Sequence, residues 1–342
     1  MKSSSEGSQG PQGPFLAVSG LRTVFPIGGG REAAAVDDIS FEIRAGETLG
    51  LVGESGSGKS ITALSIIRLV PAPGRIAGGR VELDGRNLLE LNDGEMRAVR
   101  GRRIGFVFQD PMLALDPVYT IGFQIEETLA AHGLARGEAA RRRAVELLDA
   151  VRMPEPDRRA REYPHQLSGG LRQRAMIALA LCAEPSLVIA DEPTTALDVT
   201  VQAEILELLR EMRRVFHLSL LLITHDLGVV AGMADRVAVL YAGRIVEHAT
   251  ADRLFAAPAH PYTRGLLASI PGQHAGKTLT AIPGVAPPLG HLSPGCAFAP
   301  RCDRRFAPCD TRAPGLIATP AGHDVRCFLH DPAFAAAGNS SR

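Results

Sequence analysis

Along the first 255 residues, segments with a strand-like pattern of apolar and polar positions alternate with segments that have helical spacing. The segments "FLAVSGLRTVF" and "AVDDISFEI" alternate apolar with polar residues, which is typical of half-buried strands. The wholly apolar runs "TLGLVG", "LVIAD" and "LLLIT" predict buried strands, and segments with helical spacing lie between them. This alternation predicts an α/β fold in which helices cover both faces of a mostly parallel sheet.

Two hairpins and a helical insertion interrupt the alternation. "RVELDGRNLLEL" predicts a hairpin that turns at Asp84-Gly85, and "RVAVLYAGRIVEHA" predicts another that turns at Ala242-Gly243. Between about residues 111 and 170 the chain carries amphipathic helical segments without buried-strand signals, such as "GEAARRRAVELLDAVRM". We therefore expect a helical subdomain inserted into the α/β body.

The two ends of the chain differ from its middle. Residues 1–14 are rich in Ser, Gly, Gln and Pro, which predicts a disordered tail. Beyond residue 255 regular periodicity fades, so we expect residues 256–342 to form a separate, loop-rich extension of the main domain, residues 15–255. No segment approaches the ~18 consecutive apolar residues of a membrane span. We therefore expect a cytosolic chain unless a partner holds it at a membrane.

The charge balance and the cysteine content restrict the possible classes of partner and cofactor. Lys and Arg number 37, as do Asp and Glu, so the net charge is zero and predicts no nucleic-acid partner. Four of the five cysteines lie near one end, in "PGCAFAPRCDRRFAPCD" and "VRCFLH". Disulfides are rare in the cytosol, so this cluster indicates metal or cofactor chemistry instead.

The stretch "GESGSGKS", between a predicted strand and a predicted helix, fits the phosphate-binding pattern G-x-x-x-x-G-K-[ST]. Asp191 ends the apolar run "LVIAD" and is the candidate carboxylate for Mg²⁺, together with Ser60. Glu192 follows at once, and its expected role is to orient an attacking water, which favours hydrolysis over mere binding. The residues predicted to bind nucleotide here are Gly53, Glu54, Ser55, Gly56, Ser57, Gly58, Lys59, Ser60 and Ile61.

A second anion site is expected at "LSGGLRQR". Ser168 is a good helix N-cap, and Gly169 and Gly170 expose the backbone of the first helical turn. A chain with one phosphate loop and a separate anion-binding helix end suggests a dimer in which each "SGG" closes over the partner's nucleotide.

Together these motifs resemble the nucleotide-binding subunit of an ATP-binding cassette (ABC) transporter. "ALD", with Asp198, matches the D-loop, "LLITHD" the switch histidine His225, and "FVFQDP" the Q-loop glutamine Gln109. The resemblance implies a P-loop NTPase fold with a RecA-like core, an antiparallel β subdomain and a helical signature subdomain. It also implies that Gln109 touches the magnesium and the water, and that His225 senses the γ-phosphate.

Some positions leave alternatives open. Phe25 occupies the place of the family's adenine-stacking aromatic, but simple core packing also explains it. His225 taken alone could be a core or capping histidine. Leu171 replaces the family's usual Gln or Met after "LSGG", which puts a side-chain contact there in doubt.

The extension resembles the C-terminal region of the oligopeptide and dipeptide import subfamily, through "HPYTRGLLASIP" and "IPGVAPPLGHLSPGCAFAPRC". This resemblance implies an ATPase that powers peptide import from the cytoplasmic face of the membrane. The implied partners are two permeases, a second ATPase subunit that is a paralogue, and an extracytoplasmic peptide-binding protein. Nickel and glutathione are alternative cargoes, and a soluble cassette ATPase acting on DNA or ribosomes is a rival. Asp116 and Phe123 depart from the subfamily where the permease is expected to bind.

The cysteines have the spacing C-x5-C-x6-C-x17-C, formed by Cys296, Cys302, Cys309 and Cys327. Zinc ribbons prefer tight C-x2-4-C pairs, whereas irregular loops can wrap a [4Fe–4S] cluster. The subfamily resemblance implies the cluster, in a structural role, with Zn²⁺ or free thiols as alternatives.

Overall fold

A computed structural model describes residues 13–270 and 282–334. The predicted disordered tail lies outside the described residues except for its last two. The strands are β1 (Leu16–Gly28), β2 (Arg31–Ile43), β3 (Thr48–Val52), β4 (Arg75–Leu83), β5 (Arg86–Asn87), β6 (Ile104–Val107), β7 (Leu187–Asp191), β8 (Ser219–Thr224), β9 (Arg236–Tyr241), β10 (Arg244–Thr250), β11 (Ile317–Ala318) and β12 (Asp324–Val325).

The α-helices range from one turn to five turns. They are α1 (Lys59–Ile66), α2 (Asp93–Val99), α3 (Pro111–Ala114), α4 (Ile121–Ala131), α5 (Glu138–Ala150), α6 (Pro156–Arg159), α7 (Gly169–Leu181), α8 (Val199–Phe216), α9 (Leu227–Met233), α10 (Ala251–Ala256), α11 (Pro261–Ala268) and α12 (Pro308–Thr311). None of those in the described parts of the chain is long and apolar enough to cross a membrane.

The strands form two sheets. The larger has the order β11-β12-β10-β9-β3-β8-β7-β6, and its section from β9 to β6 is parallel. The smaller is antiparallel, with the order β2-β1-β4-β5. Both predicted hairpins are confirmed, because β4 pairs with β5 and β9 with β10 across the expected turns. The predicted α/β fold with an antiparallel β part is therefore confirmed.

The parallel sheet is buried on both faces, which explains its unbroken apolar runs. Within β7, Val188 and Ala190 face a core that includes residues of α4, α5, α7 and α8. Leu187 and Ile189 point the other way, into a core shared with α1 and the smaller sheet. Successive side chains of a strand alternate between faces, so each face receives half of the run.

The region from 111 to 170 is helical, as the amphipathic pattern predicts. Helices α3 to α6 lie within it, and α4 and α5 pack against each other and against α7. Leu129, Leu147 and Leu148 supply the apolar faces of this contact. The helical segment therefore shares its core with one face of the parallel sheet instead of forming a detached unit.

The extension is rich in loops, but it is not separate from the main domain. β12 pairs with β10, with Val325 opposite Glu247, and β11 pairs with β12. The fully buried Glu247 carboxylate accepts hydrogen bonds from the backbone N–H groups of Ala259 and His260, at 2.8 and 2.9 Å. It also lies 2.8 Å from Nδ1 of His323. Two-residue strands carry no periodic signal, so sequence patterns could not show this junction.

We expect acid to weaken the junction through His260, the N-cap of α11. Its Nδ1 accepts a hydrogen bond from the N–H of Tyr262. Burial, with His330 and Arg264 nearby, lowers the pKa of His260 to about 3, so folding holds it neutral while the unfolded chain takes up a proton near pH 6.5. Stability should therefore fall as pH drops below about 6.5, by about 1 kcal/mol per pH unit from this group.

Thermal unfolding of His260→Asn between pH 7.5 and 5 tests this expectation. Asparagine keeps a capping acceptor but does not titrate, so the melting temperature should fall less steeply with acid than in the wild type. Replacement of the exposed His291 by Asn is the matched control. Equal pH slopes for His260→Asn and the wild type would contradict the assignment.

Candidate functional site

The predicted phosphate loop connects the end of β3 to the start of α1. Gly58, the N-cap of α1, has φ of 106°, and a Cβ there would lie 2.4 Å from the carbonyl oxygen of Ala35. A side chain is therefore excluded both by backbone conformation and by space. The N–H groups of Glu54 and Ser57 are already hydrogen-bonded, whereas the first turn of α1 is available to an anion.

Lys59 lies within the phosphate loop. Its buried Nζ donates hydrogen bonds to the carbonyl oxygens of Gly53 and Glu54, at 2.8 and 3.0 Å, and lies 3.7 Å from Oε1 of Glu192. Burial lowers the pKa of Lys59, whereas Glu192 and Asp191 oppose that shift. The amine is thus held as a point charge beside the loop backbone.

Ser60 and Asp191 form the candidate magnesium site. The Ser60 hydroxyl donates a hydrogen bond of 3.0 Å to Oδ1 of Asp191. Burial raises the pKa of Asp191, while the hydrogen bond from Ser60 and the charge of Lys59 lower it. The hydroxyl of Ser60, the carboxylate of Asp191 and the amide oxygen of the third predicted ligand, Gln109, are hard ligands that suit Mg²⁺. These residues therefore fit the ion.

Glu192 brings the remaining predicted catalytic residues together. Its Oε2 accepts a hydrogen bond from the Thr195 hydroxyl at 2.9 Å and from Nε2 of Gln109 at 3.4 Å, and lies 3.2 Å from Nδ1 of His225. Its φ of 46° is unusual for a residue other than glycine, and such strain often marks functional sites. The carboxylate is therefore fixed at the mouth of the phosphate loop.

A cleft of about 1100 Å³ lies above these residues, which is ample for a nucleoside triphosphate. Eleven of the predicted site residues line it: Gly53, Glu54, Ser55, Gly56, Gly58, Lys59, Ser60, Ile61, Gln109, Glu192 and His225. Ser57 is a buried residue of the loop, and Asp191 lies behind Ser60.

Phe25 does not line this cleft. Its ring packs against the backbone at Gly74, where a Cβ would lie 2.4 Å from the ring edge. Stacking of Phe25 on adenine stays a prediction. The cleft is also lined by residues that the sequence analysis did not assign to the nucleotide site: Ala34, Ala35, Ala242, Gly243, Leu266, Ser269, Ile282, Val285, Ala286, Pro287, Pro288, Leu289, Gly290 and Leu292.

The predicted signature residues lie apart from the chain's own cleft. Ser168 caps α7 by accepting a hydrogen bond of 3.4 Å from the N–H of Leu171, and Ser168 and Gly169 are exposed. Gly170 lies against α8, where a Cβ would lie 2.8 Å from Val201. Asp198 caps α8 through a 3.0 Å hydrogen bond from the N–H of Val201. The exposed helix end is free to contact a second molecule.

The four clustered cysteines line one small cavity in the extension, which Phe298, Phe306 and Phe328 also line. Burial raises the pKa of Cys296, that of Cys302 to about 11 and that of Cys327 to about 12. Within residues 13–270 and 282–334, no three His, Cys, Asp or Glu side chains come close enough to share one metal ion. The fifth cysteine, Cys182, belongs to the core beside α7.

Comparison with known proteins agrees with these motifs. Residues 36–195 match the model of the ABC transporter family, and residues 246–309 match that of the oligopeptide/dipeptide transporter C-terminal region. The oligopeptide transport ATP-binding protein AppD of Bacillus subtilis is 49% identical over 326 residues, covering 93% of this chain and 97% of its own length. The dipeptide transport ATP-binding protein DppD of the same organism is 48% identical, covering 92% and 95%.

Solved structures give the same result. The dimeric structure of MJ0796, a bacterial ABC transporter cassette, has a TM-score of 0.62 and 31% identity, covering 69% of this chain and 98% of its own. A post-hydrolysis dimer of that cassette, bound to ADP and Pi, has a TM-score of 0.61. The chain belongs to the ABC transporter family, in the group that carries the oligopeptide/dipeptide transporter C-terminal region.

Proposed function

We propose that this chain is the ATP-hydrolysing subunit of a membrane importer and that the imported cargo is peptides. The observation that carries hydrolysis is the position of Glu192, which contacts Gln109, Thr195 and His225 and faces Lys59 across the mouth of the phosphate loop. The names of the relatives support peptides over nickel or glutathione as cargo.

Each residue has a distinct part in this mechanism. The phosphate-loop backbone and Lys59 bind the phosphates, and Ser60, Asp191 and Gln109 would hold Mg²⁺, which neutralises charge on the transferred phosphoryl group. Glu192 orients the attacking water and accepts its proton. His225 lies 3.2 Å from Glu192 and can contact the γ-phosphate from the same side of the cleft.

The exposed signature end of α7 supports a dimer. Ser168, Gly169 and Gly170 present a helix N-terminus away from their own cleft, where it can close over the nucleotide of a second ATPase subunit. We propose a paralogue as that subunit, two permeases in the membrane, and an extracytoplasmic peptide-binding protein that delivers the cargo. The chain would then lie on the cytoplasmic face of the membrane.

An exposed apolar patch in the segment that follows Gln109 in the sequence is the proposed permease-docking surface. Leu113 is 77% exposed, Val118 68%, and Tyr119 and Phe123 each 46%. The Tyr119 and Phe123 rings stack 4.8 Å apart, and Gln124 holds the preceding loop by donating to the carbonyl oxygens of Asp116 and Tyr119. Such a patch is typical of an interaction site, and because it begins four residues after Gln109 in the sequence, docking there would couple to hydrolysis.

A [4Fe–4S] cluster is proposed for the cysteine cavity. Each thiolate of such a cluster binds a different iron, so its donors surround a larger body than a single Zn²⁺ ion requires. Cys296, Cys302, Cys309 and Cys327 line one cavity, which supports a shared ligand, and the preference for the cluster over zinc rests on the resemblance to the import subfamily. The role of the cluster would be structural, namely to hold the loops of the extension together.

Replacement of Glu192 by Gln is expected to slow hydrolysis by about 10² to 10⁴-fold, because glutamine cannot accept the proton of the water. ATP binding should persist, so ATP should trap a dimer on gel filtration. Lys59→Ala should instead weaken nucleotide binding itself. Hydrolysis by Glu192→Gln at the wild-type rate would show that Glu192 is not the water-positioning residue.

Replacement of Phe123 or Leu113 by Ser is expected to reduce co-purification with the permeases by tenfold or more, because each loses about 1.5–3 kcal/mol of apolar burial and about 1.4 kcal/mol is a factor of ten in affinity. Nucleotide affinity of the isolated chain should not change. Val215→Ser, at a valine near the end of α8 whose exposure of 54% lies between those of Phe123 and Leu113, is the matched control. Undiminished co-purification of both patch variants would exclude this face as the docking surface.

Anaerobically purified protein is expected to be brown and to contain about four iron and four sulfide per chain. Cys309→Ser should lose the colour and most of the iron, whereas Cys182→Ser, which changes the core cysteine, should keep both. A colourless chain with stoichiometric zinc would contradict the cluster.

A further inference from the structure

An arginine of the extension contacts the phosphate loop directly. Arg301 lies in a helical turn between Cys296 and Cys302, and its side chain is only 6% exposed. Nη1 donates a 2.7 Å hydrogen bond to Oε2 of Glu54, and Nη2 donates a 3.0 Å bond to Oε1. This two-point pairing of a guanidinium with a carboxylate is strong and fixes both partners in orientation.

Glu54 is linked in turn to the phosphate-binding lysine. It is the second residue of "GESGSGKS", and its carbonyl oxygen accepts a 3.0 Å hydrogen bond from Nζ of Lys59. Its backbone N–H donates a 2.9 Å bond to the hydroxyl of Tyr262 in α11. Burial raises the pKa of Tyr262, so this hydroxyl stays neutral. The start of the loop is therefore held at its side chain and at its backbone by residues beyond 255.

The same arginine holds a second wall of the cleft. Nε of Arg301 donates a 2.9 Å hydrogen bond to the carbonyl oxygen of Pro283, just before the segment 285–290 that lines the cleft. At the other end of that segment, a Cβ on Gly290 would lie 2.8 Å from Ile27 and 3.4 Å from Ala33. The segment thus spans from Arg301 to the smaller sheet, and the guanidinium joins it to the phosphate loop.

We propose that Arg301 is a positioning residue for nucleotide binding, which fixes the phosphate loop through Glu54 and the segment 285–290 through Pro283. Arg301 lies one residue from Cys302, so the packing of the cysteine cavity sets where the guanidinium lies. The extension is on this view a part of the nucleotide site. The inference rests on the proposed function, in that ATP binds at the phosphate loop.

The affinity of the full chain for a fluorescent ATP analogue, mant-ATP, tests the proposal together with KM and kcat for ATP. Arg301→Ala and Glu54→Gln should each raise Kd and KM about tenfold with a smaller change in kcat, because the groups that act on the water are untouched. The Kd and KM of Arg301→Lys should lie between those of the wild type and of Arg301→Ala, since lysine keeps the charge but not the two-point geometry. The double variant should be little worse than either single one.

The matched control is Arg305→Ala, which breaks an arginine–carboxylate pair with Asp310 elsewhere in the extension. It should leave Kd and KM unchanged. Should Arg301→Ala fail to fold, Glu54→Gln and Arg301→Lys carry the test. The proposal would be wrong if these variants had a lower melting temperature but an unchanged Kd, because the pair would then only stabilise the fold. It would also be wrong if their Kd changed no more than that of Arg305→Ala. If Lys59→Ala also left Kd unchanged, the proposed nucleotide site itself would be wrong.

Discussion

The in-register pairing of the parallel strands is the constraint on which the site depends. Val52 of β3 lies opposite Thr224 of β8, and Ile223 of β8 lies opposite Asp191 of β7. The carboxyl ends of these strands therefore meet at one edge of the sheet. The phosphate loop, Glu192 and His225 begin where these strands end, so a shift of one residue in this register would separate lysine from carboxylates.

Charge is concentrated at that edge, and the fold offsets the cost of burying it. Lys59 and Asp191 are each less than a tenth exposed, and each has opposite charges and hydrogen-bond donors or acceptors within reach. A buried charge without partners would cost several kcal/mol, so the cluster is stable only as a set. The same low-dielectric setting makes these groups effective toward a phosphoryl group when nucleotide enters.

The extension depends on a second buried carboxylate. Glu247 in β10 binds the backbone at Ala259 and His260 and the ring of His323, which ties the residues beyond 255 to the main sheet. That attachment brings Tyr262 and Arg301 to the phosphate loop. The cysteine cavity and the nucleotide cleft are therefore two ends of one packed unit.

Sequence alone determined the α/β class, both hairpins and the residues around the phosphate loop, because strand periodicity and glycine-rich turns are local signals. It also predicted Asp191, Glu192 and His225 as site residues, since each ends or follows a buried strand. Only the tertiary structure decided that Phe25 packs against Gly74 and that residues 285–290 line the cleft. It alone decided that Arg301 meets Glu54, 247 residues away in the chain. Such contacts depend on how irregular segments pack across the sheet edge. A loop without periodicity has no sequence pattern from which the residues that it contacts can be predicted.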